Sequence, residues 1–400
     1  MIEYVLLILA GCMIGTITGL TPGLHVNTVC LIGLSLYPLL GLDALTFSVV
    51  MVATTITQHF LDFIPAIFIG VPEESTALSV LPTHKLVLKG RAMEAVKITA
   101  YGCFLGIFFS LMLLPLAMYA VPTIYNSLRG FVVYIISTAA LILILREKGA
   151  GKIFAALAFI LSGILGLVTL DMKLLSSSEV LFPVFSGLFG ISNLLYSLQT
   201  DSVFIPQEEH VQVKIDRKII FGSFLGTIGG MIVGLLPAMS PSQIGILMSG
   251  LFQGSTQTFL TSLAAINTSD TIYSLLSLYT INNPRSGVAV MIGRIIEVNQ
   301  STLLLFVSVA CIVPIIAMLI QLYLGSKATK ILQKIDYKKL SIATIIFVTT
   351  LVYLMTGWVG LVVCLVSTAI GLVPILAGVS RTHTMGVLLI PTILYFLGFG

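Results

Sequence analysis

Charge is what this 400-residue sequence has least of: Asp, Glu, Lys and Arg make up 9% of it, against roughly 25% in an ordinary soluble domain. So little charge cannot cover a water-facing surface, which excludes water as the main solvent of the chain. The five cysteines, Cys12, Cys30, Cys103, Cys311 and Cys364, stand singly in apolar runs with no C-x-x-C pair and no cluster of histidines. That pattern excludes a disulfide framework and a zinc site of ordinary ligand spacing, so no metal site is expected. The net charge of +4 is better used to orient the chain in a bilayer than to argue for an acidic partner, and no nucleic acid is expected. Met1-Ile-Glu-Tyr4 lacks the basic start of a secretory signal, so the first apolar run is expected to be a membrane span.

What the sequence has in quantity is hydrophobic residues, 57% of the total. Runs long enough to cross a ~30 Å hydrocarbon layer as helices recur from end to end. They fall at about 4–20, 24–41, 45–70, 95–121, 130–145, 153–170 and 180–198, then at about 219–236, 242–253, 257–281, 300–324, 340–356, 358–378 and 385–399. A polar connection at 199–218 separates the two sets. Seven and seven is the signature of a duplication, which predicts an all-α integral membrane protein with a first repeat over 1–200, a cytoplasmic linker over 201–218 and a second repeat over 219–400.

Direct comparison supports the duplication. Gly19-Leu-Thr-Pro-Gly-Leu-His-Val-Asn-Thr28 precedes Gly234-Leu-Leu-Pro-Ala-Met-Ser-Pro-Ser-Gln243 by 215 positions, sharing Gly-Leu-x-Pro. Pro72 matches Pro284, and Leu181-Phe-Pro183 matches Leu389-Ile-Pro391. An odd number of crossings per repeat inverts the second half relative to the first. With the loop at 82–97 placed in the cytoplasm, 16 of the 20 basic residues lie inside, leaving Arg129, Lys173, Arg285 and Arg294 outside with both termini. Segments 4–20 with 24–41, and 219–236 with 242–253, read equally as two crossings or as a re-entrant hairpin.

The breaks at Thr21-Pro22-Gly23 and Leu236-Pro237-Ala238 carry the first candidate site. Proline and glycine interrupt the hydrogen-bond ladder, which lipid tolerates only where the freed backbone faces protein or a wet cavity. Helices starting just beyond each break turn free N–H groups toward that cavity, a setting for an anion. The candidate substrate-binding set is Thr21, Pro22, Gly23, Leu24, His25, Asn27 and Thr28 in one half, and Pro237, Ala238, Ser240, Ser242 and Gln243 in the other. Helix capping and a simple kink account for the same residues. Arg285, just after Pro284, either clamps a carboxylate or phosphate or pairs with a carboxylate of the protein. Glu73 and Glu74 read as caps of the following helix.

Polar residues also interrupt the third segment of each half: Thr54, Thr55, Thr57, Gln58, His59 and Asp62, against Asn267, Thr268, Ser269, Asp270 and Ser274. Ionisable groups inside a span are costly and mark an ion or proton path. His59, Asp62, Asn267, Ser269 and Asp270 are therefore the candidate cation-coupling residues, holding Na⁺ or carrying H⁺; an inter-helix hydrogen-bond cluster is the structural alternative. No other cofactor is expected.

Gly15-Thr-Ile-Thr-Gly-Leu-Thr-Pro-Gly-Leu24, Gly70-Val-Pro-Glu-Glu-Ser-Thr-Ala77, Lys89-Gly-Arg-Ala-Met-Glu-Ala95 and Phe185-Ser-Gly-Leu-Phe-Gly-Ile-Ser192 resemble, in order and spacing, the large membrane subunit of the tripartite tricarboxylate transporters. The resemblance spans nearly the whole chain. It implies secondary transport of a small carboxylate on a cation gradient, with a small membrane subunit and an extracytoplasmic binding protein as partners. It carries substrate contacts to Pro22, Gly23 and Leu24, and to Pro72, Ser75 and Thr76. The chain departs from the family pattern at His25 and Glu73, where the family has glycine, so citrate-like specificity does not follow. Two other readings compete: translocation of a lipid-linked anion such as a polyprenyl phosphate, and an intramembrane hydrolase using Asp62 and Asp270. The second lacks a Gly-x-Gly-Asp setting or a Ser/His nucleophile motif, and no enzyme is expected. A homodimer is the expected assembly.

Overall fold

A polar backbone can cross a bilayer only when every N–H and C=O is satisfied within the segment, and helices do this locally. In the computed structural model every regular element is helical among the described residues, which are 2–22, 24, 26–72, 75–128, 130–170, 177–198, 206–208, 211–235, 241–249, 255–332 and 337–398. The first half holds α1 (Ile2–Leu20), α2 (Val26–Leu40), α3 (Ala44–Leu61), α4 (Phe63–Phe68), α5 (Val80–Leu88), α6 (Ala92–Leu128), α7 (Val132–Arg146), α8 (Gly151–Leu170), α9 (Ser177–Phe185) and α10 (Ser192–Ser197). A π-helical turn, Ser186–Ile191, joins α9 to α10. The second half holds α11 (Arg217–Leu235), α12 (Pro241–Ser249), α13 (Thr256–Ile281), α14 (Gly287–Ile295), α15 (Gln300–Leu332), α16 (Tyr337–Ala377) and α17 (Gly386–Phe396), with a 3₁₀ segment, Arg381–Met385, before α17. Among the described residues each of the fourteen apolar runs coincides with helix, and eight helices there are long and apolar enough to cross a membrane.

The helix ends follow from local chemistry. Asp43 Oδ1 accepts from Leu45 N and Thr46 N at 3.0 Å and starts α3, while Ser255 Oγ accepts from Thr258 N and starts α13. The run at 44–68 breaks at Asp62, because Pro65 has no N–H to donate back to Leu61 and its ring crowds that carbonyl. Within α16, Gly357 adopts φ 64°, ψ −157°, which separates an arm ending at Thr356 from one starting at Trp358. A straight helix of α16's 41 residues would measure about 60 Å, twice the hydrocarbon thickness.

Two elements go beyond the predicted segments. The nine-residue helices α5 and α14 lie in what the sequence marks as connections, and each stands between the third and fourth apolar runs of its half.

At the centre stand α3 and α13, the two helices richest in buried polar side chains, from Ser48 to His59 and from Thr258 to Ser277. Helix α1 packs along α3 and α11 along α13; α6 crosses over to α13, and α15 crosses over to α3. Leucines and methionines such as Leu6, Met13, Met112, Leu116, Leu319 and Leu365 point outward. Polar helices within and apolar side chains without is the distribution lipid selects.

Small residues allow the close packing. On α1, Gly11, Gly15 and Gly19 face α3: a Cβ at Gly15 would strike Thr54 O and sit 2.8 Å from Thr57 Cβ. On α11, Gly226, Gly230 and Gly234 face α13 in the same way, a Cβ at Gly230 lying 2.9 Å from Ile266 O. Such stripes are the means by which helices approach closely in a bilayer, where no hydrophobic force drives them together.

Candidate functional site

The first predicted break is physically attached to the polar segment of α3. Helix α1 ends at Leu20, Thr21 Oγ1 donates back to Ile17 O at 2.7 Å, and Pro22 is buried. Gln58 of α3 reaches into the break: its Nε2 donates to Leu24 O at 2.6 Å, and its Oε1 accepts from Thr18 Oγ1 at 3.1 Å. One amide thus satisfies a carbonyl freed by the break and fixes the end of α1 to α3. Gly23 and His25 lie outside the described residues, as do the side chains of Asn27 and Thr28 in the first turn of α2.

His59 sits one residue on, at 7% exposure, and its Nε2 lies 3.1 Å from Thr271 Oγ1 of α13. Its Nδ1 is 3.9 Å from Asp62 Oδ2, and Asp62 is itself 3% exposed at the break between α3 and α4. Cys103 Sγ of α6 donates to His59 O at 3.8 Å, and Thr268 Oγ1 of α13 donates to Cys103 O at 3.0 Å. A buried imidazole therefore bridges the two central helices beside a buried carboxylate. Such a group can bind or pass a proton, and with neighbouring hydroxyl oxygens it can face a cation.

The glycine contacts fix which residues of α3 and α13 occupy equal places. Gly11, Gly15 and Gly19 meet Val50, Thr54 and Leu61 as Gly226, Gly230 and Gly234 meet Ser262, Ile266 and Tyr273. The 215-residue offset of α1 and α11 thus becomes 212 for α3 and α13, which pairs Gln58 with Asp270, His59 with Thr271 and Asp62 with Ser274. The acids Asp62 and Asp270, which stand out together in sequence, occupy different positions on their helices. Of the remaining candidates on α13, Ser269 donates back to Ala265 O, and the Nδ2 of Asn267 is buried without an acceptor among the described residues.

The other candidates form separate groups. Ser274 Oγ accepts from Arg285 N at 3.0 Å and Ser286 N at 2.6 Å, holding the loop that precedes α14. Arg285 Nη2 lies 3.5 Å from Tyr125 Oη, with the guanidinium 5.8 Å above that ring. Pro72, Ser75 and Thr76 are buried, and Gly190 of the π turn packs on Gly70 O beside Pro72. Leu78, just beyond, touches Gly245 of α12. Ser242 is buried in the first turn of α12, and Gln243 Nε2 donates to Thr392 Oγ1 at 2.9 Å, tying α12 to α17. Pro237, Ala238 and Ser240 lie outside the described residues, as do Glu73 and Glu74. The break with Gln58 and the His59–Asp62–Thr271 group form one neighbourhood on α3, and the Pro72 loop with α12 forms another.

Two members of the first neighbourhood, Thr18 and Thr271, are absent from the sequence-derived set. The glycine spacing of four on α1 was the available signal for the register that brings them in.

Comparison with known proteins bears on what this arrangement serves. Residues 5–386 match the family described as the tripartite tricarboxylate transporter TctA family. An uncharacterized protein of Methanocaldococcus jannaschii is 31% identical over 407 residues, covering 98% of each chain. No solved structure matches. A match over nearly the whole length, on a multi-pass helical protein with polar groups gathered between its central helices, leaves one conclusion: this chain belongs to the tripartite tricarboxylate transporter TctA family.

Proposed function

We propose that this chain is the permease of a secondary transporter that moves a small organic anion of the di- or tricarboxylate class, coupled to a Na⁺ or H⁺ gradient. The observation that carries the reading is the His59–Thr271 bond, since each residue is the other's counterpart in the glycine-packed helix pairs. When a residue touches its own counterpart, a local two-fold axis passes between them. Repeats related by an axis in the membrane plane, with binding groups at broken helices near that axis, are the architecture of alternating access. In this reading residues 1–200 and 219–400 are inverted repeats joined by a cytoplasmic linker, and both termini face outward in the cell membrane.

The broken segments supply the anion site: Thr21, Pro22, Gly23, Leu24, His25, Asn27, Thr28, Pro72, Ser75 and Thr76 from the first half, and Pro237, Ala238, Ser240, Ser242, Gln243 and Arg285 from the second. His59, Asp62 and Asp270 supply the coupling ion's site, with Asn267 and Ser269 beside it. Membership of the family favours a soluble carboxylate over a lipid-linked anion, and favours a small membrane subunit and an extracytoplasmic binding protein as partners. A homodimer is the assembly proposed.

Purified protein in liposomes, with its binding protein and small subunit, is expected to take up labelled citrate or succinate under an inward Na⁺ or proton gradient. Asp62→Asn is expected to change which gradient drives uptake. Absence of carboxylate uptake under both gradients with all three components present would sink the reading. Unchanged ion dependence in Asp62→Asn would remove that residue from coupling.

A further inference from the structure

A cavity of about 580 Å³ opens away from the His59 neighbourhood, between α5, the end of α7, the start of α13 and the 380–383 segment. Its charged lining is mostly basic: Lys85, Lys89, Arg146 and Arg381, with Glu147 as the acid. The carboxylate of Glu147 is engaged, its Oε1 accepting from Ser380 N at 2.9 Å and lying 3.0 Å from His383 Nε2.

Arg381 sets this cavity apart. It is 5% exposed, and its Nη2 donates to Leu188 O at 2.7 Å, Phe189 O at 2.9 Å and Ser192 Oγ at 2.9 Å, around the π-helical turn. The π turn presents carbonyls that a regular helix would use internally, which gives Arg381 its seat. The guanidinium also lies 5.4 Å over the Phe189 ring. Its Nε and Nη1 have no acceptor among the described residues, and it makes no ion pair there. A buried cation with N–H groups left over, lining a cavity, is a charge arranged for a partner the protein does not itself provide. Its field reaches the neighbouring helix: burial and the Arg381 charge together lower the pKa of His84 on α5 to about 4. Thr256, in the first turn of the 26-residue α13, adds a helix N-terminus to the same wall.

We propose that this cavity is a binding vestibule for a small organic polycarboxylate, with Arg381 as its buried anchor and Lys85 and Lys89 as the charges at its mouth. The walls favour a ligand with a carbon skeleton over a bare inorganic ion, because Leu78, Leu81, Phe189 and Phe259 line the cavity between the charges. Binding follows from these residues alone. That the bound anion is on its way through the protein rests on the permease reading.

The test is calorimetric titration of citrate, inorganic phosphate and phosphatidylglycerol into the full chain in detergent, with Lys85→Ala/Lys89→Ala as the main variant. Both lysines are exposed, so the variant is expected to keep the thermal transition of the unliganded protein. Citrate affinity is expected to fall about tenfold in it, or 1.4 kcal/mol. Arg381→Gln is expected to abolish citrate binding; because it also removes the donor to the π turn's carbonyls, its folding is checked by the same transition. A second readout uses Thr382→Cys, whose modification by a maleimide citrate is expected to slow. Unchanged citrate affinity in the lysine variant overturns the site, as does phosphate or phosphatidylglycerol displacing citrate at equal concentration. Citrate bound as described but never taken up by liposomes overturns the transport reading and leaves the site standing. Wild-type uptake by the lysine variant with unchanged affinity does the reverse.

Discussion

The α1/α3 pair and the α11/α13 pair are built on one packing scheme and carry different chemistry. In both, glycines at spacings of four on the first helix let the second approach to backbone contact, and the contacts fall in the same register. Yet where α3 presents Gln58, His59 and Asp62, α13 presents Asp270, Thr271 and Ser274. Packing surfaces of this kind tolerate nothing larger than glycine, whereas the polar faces are under no such constraint and differ between the two pairs. On the first half the amide and imidazole tie the break and the two central helices together. On the second, the hydroxyl of Ser274 holds the Arg285 loop.

The largest effect is expected where the skeletons are most alike. Gly15→Ala places a methyl against the fixed Thr54 carbonyl and should destabilise the protein by about 3 kcal/mol. Gly230→Ala should cost about 1 kcal/mol less, because part of its contact is the Ser269 hydroxyl, which can rotate aside. Thermal transitions in detergent measure both, and the reverse order would break the comparison. Gln58→Ala, which loses the bonds to Leu24 O and Thr18 Oγ1, should cost about 2 kcal/mol, whereas Asp270→Asn at the equal position should cost under about 1 kcal/mol. Next, a double-mutant cycle of His59→Gln and Thr271→Val should give a coupling of about 1 kcal/mol. A value near zero would take away the contact on which the proposed two-fold relation rests.

The smallest effect concerns α5 and α14, where His84 is the fifth residue of one helix and Met291 the fifth of the other, both buried. Below about pH 6.5 the unfolded chain protonates this histidine, while the folded chain resists until about pH 4. Stability therefore falls as pH drops through that window, by about 1 kcal/mol between pH 7.5 and pH 6. His84→Gln should flatten that part of the profile.

Much of the fold was legible because apolar length is a strong signal: each predicted segment coincides with helix, and the boundary expected between 356 and 358 is the Gly357 turn. The short helices α5 and α14 escaped, since nine residues with Lys85 or Arg294 in the last turn read as connection. The helix break at Asp62 was not foreseen, because the polar cluster there reads as an ion path and only Pro65 signals the interruption of the helix. In the site, His59 and Asp62 announced themselves as ionisable groups in a span. Their partner Thr271 did not, because a threonine within a helix is unremarkable until the register is known. Arg381 was one loop charge among many, and only its burial against the π turn singles it out.

The inverted relation of the two halves is tested most directly by sidedness of labelling. Lys89, after α5, and Glu297, after α14, are both exposed and follow helices that hold the same place in their halves. Each is changed singly to cysteine in a chain whose five native cysteines are replaced by serine or alanine, and treated with a membrane-impermeant maleimide in right-side-out and inside-out vesicles. With inverted halves, Lys89→Cys reacts only from the cytoplasmic face and Glu297→Cys only from the outer face. Reaction of both from the same face would contradict the inversion.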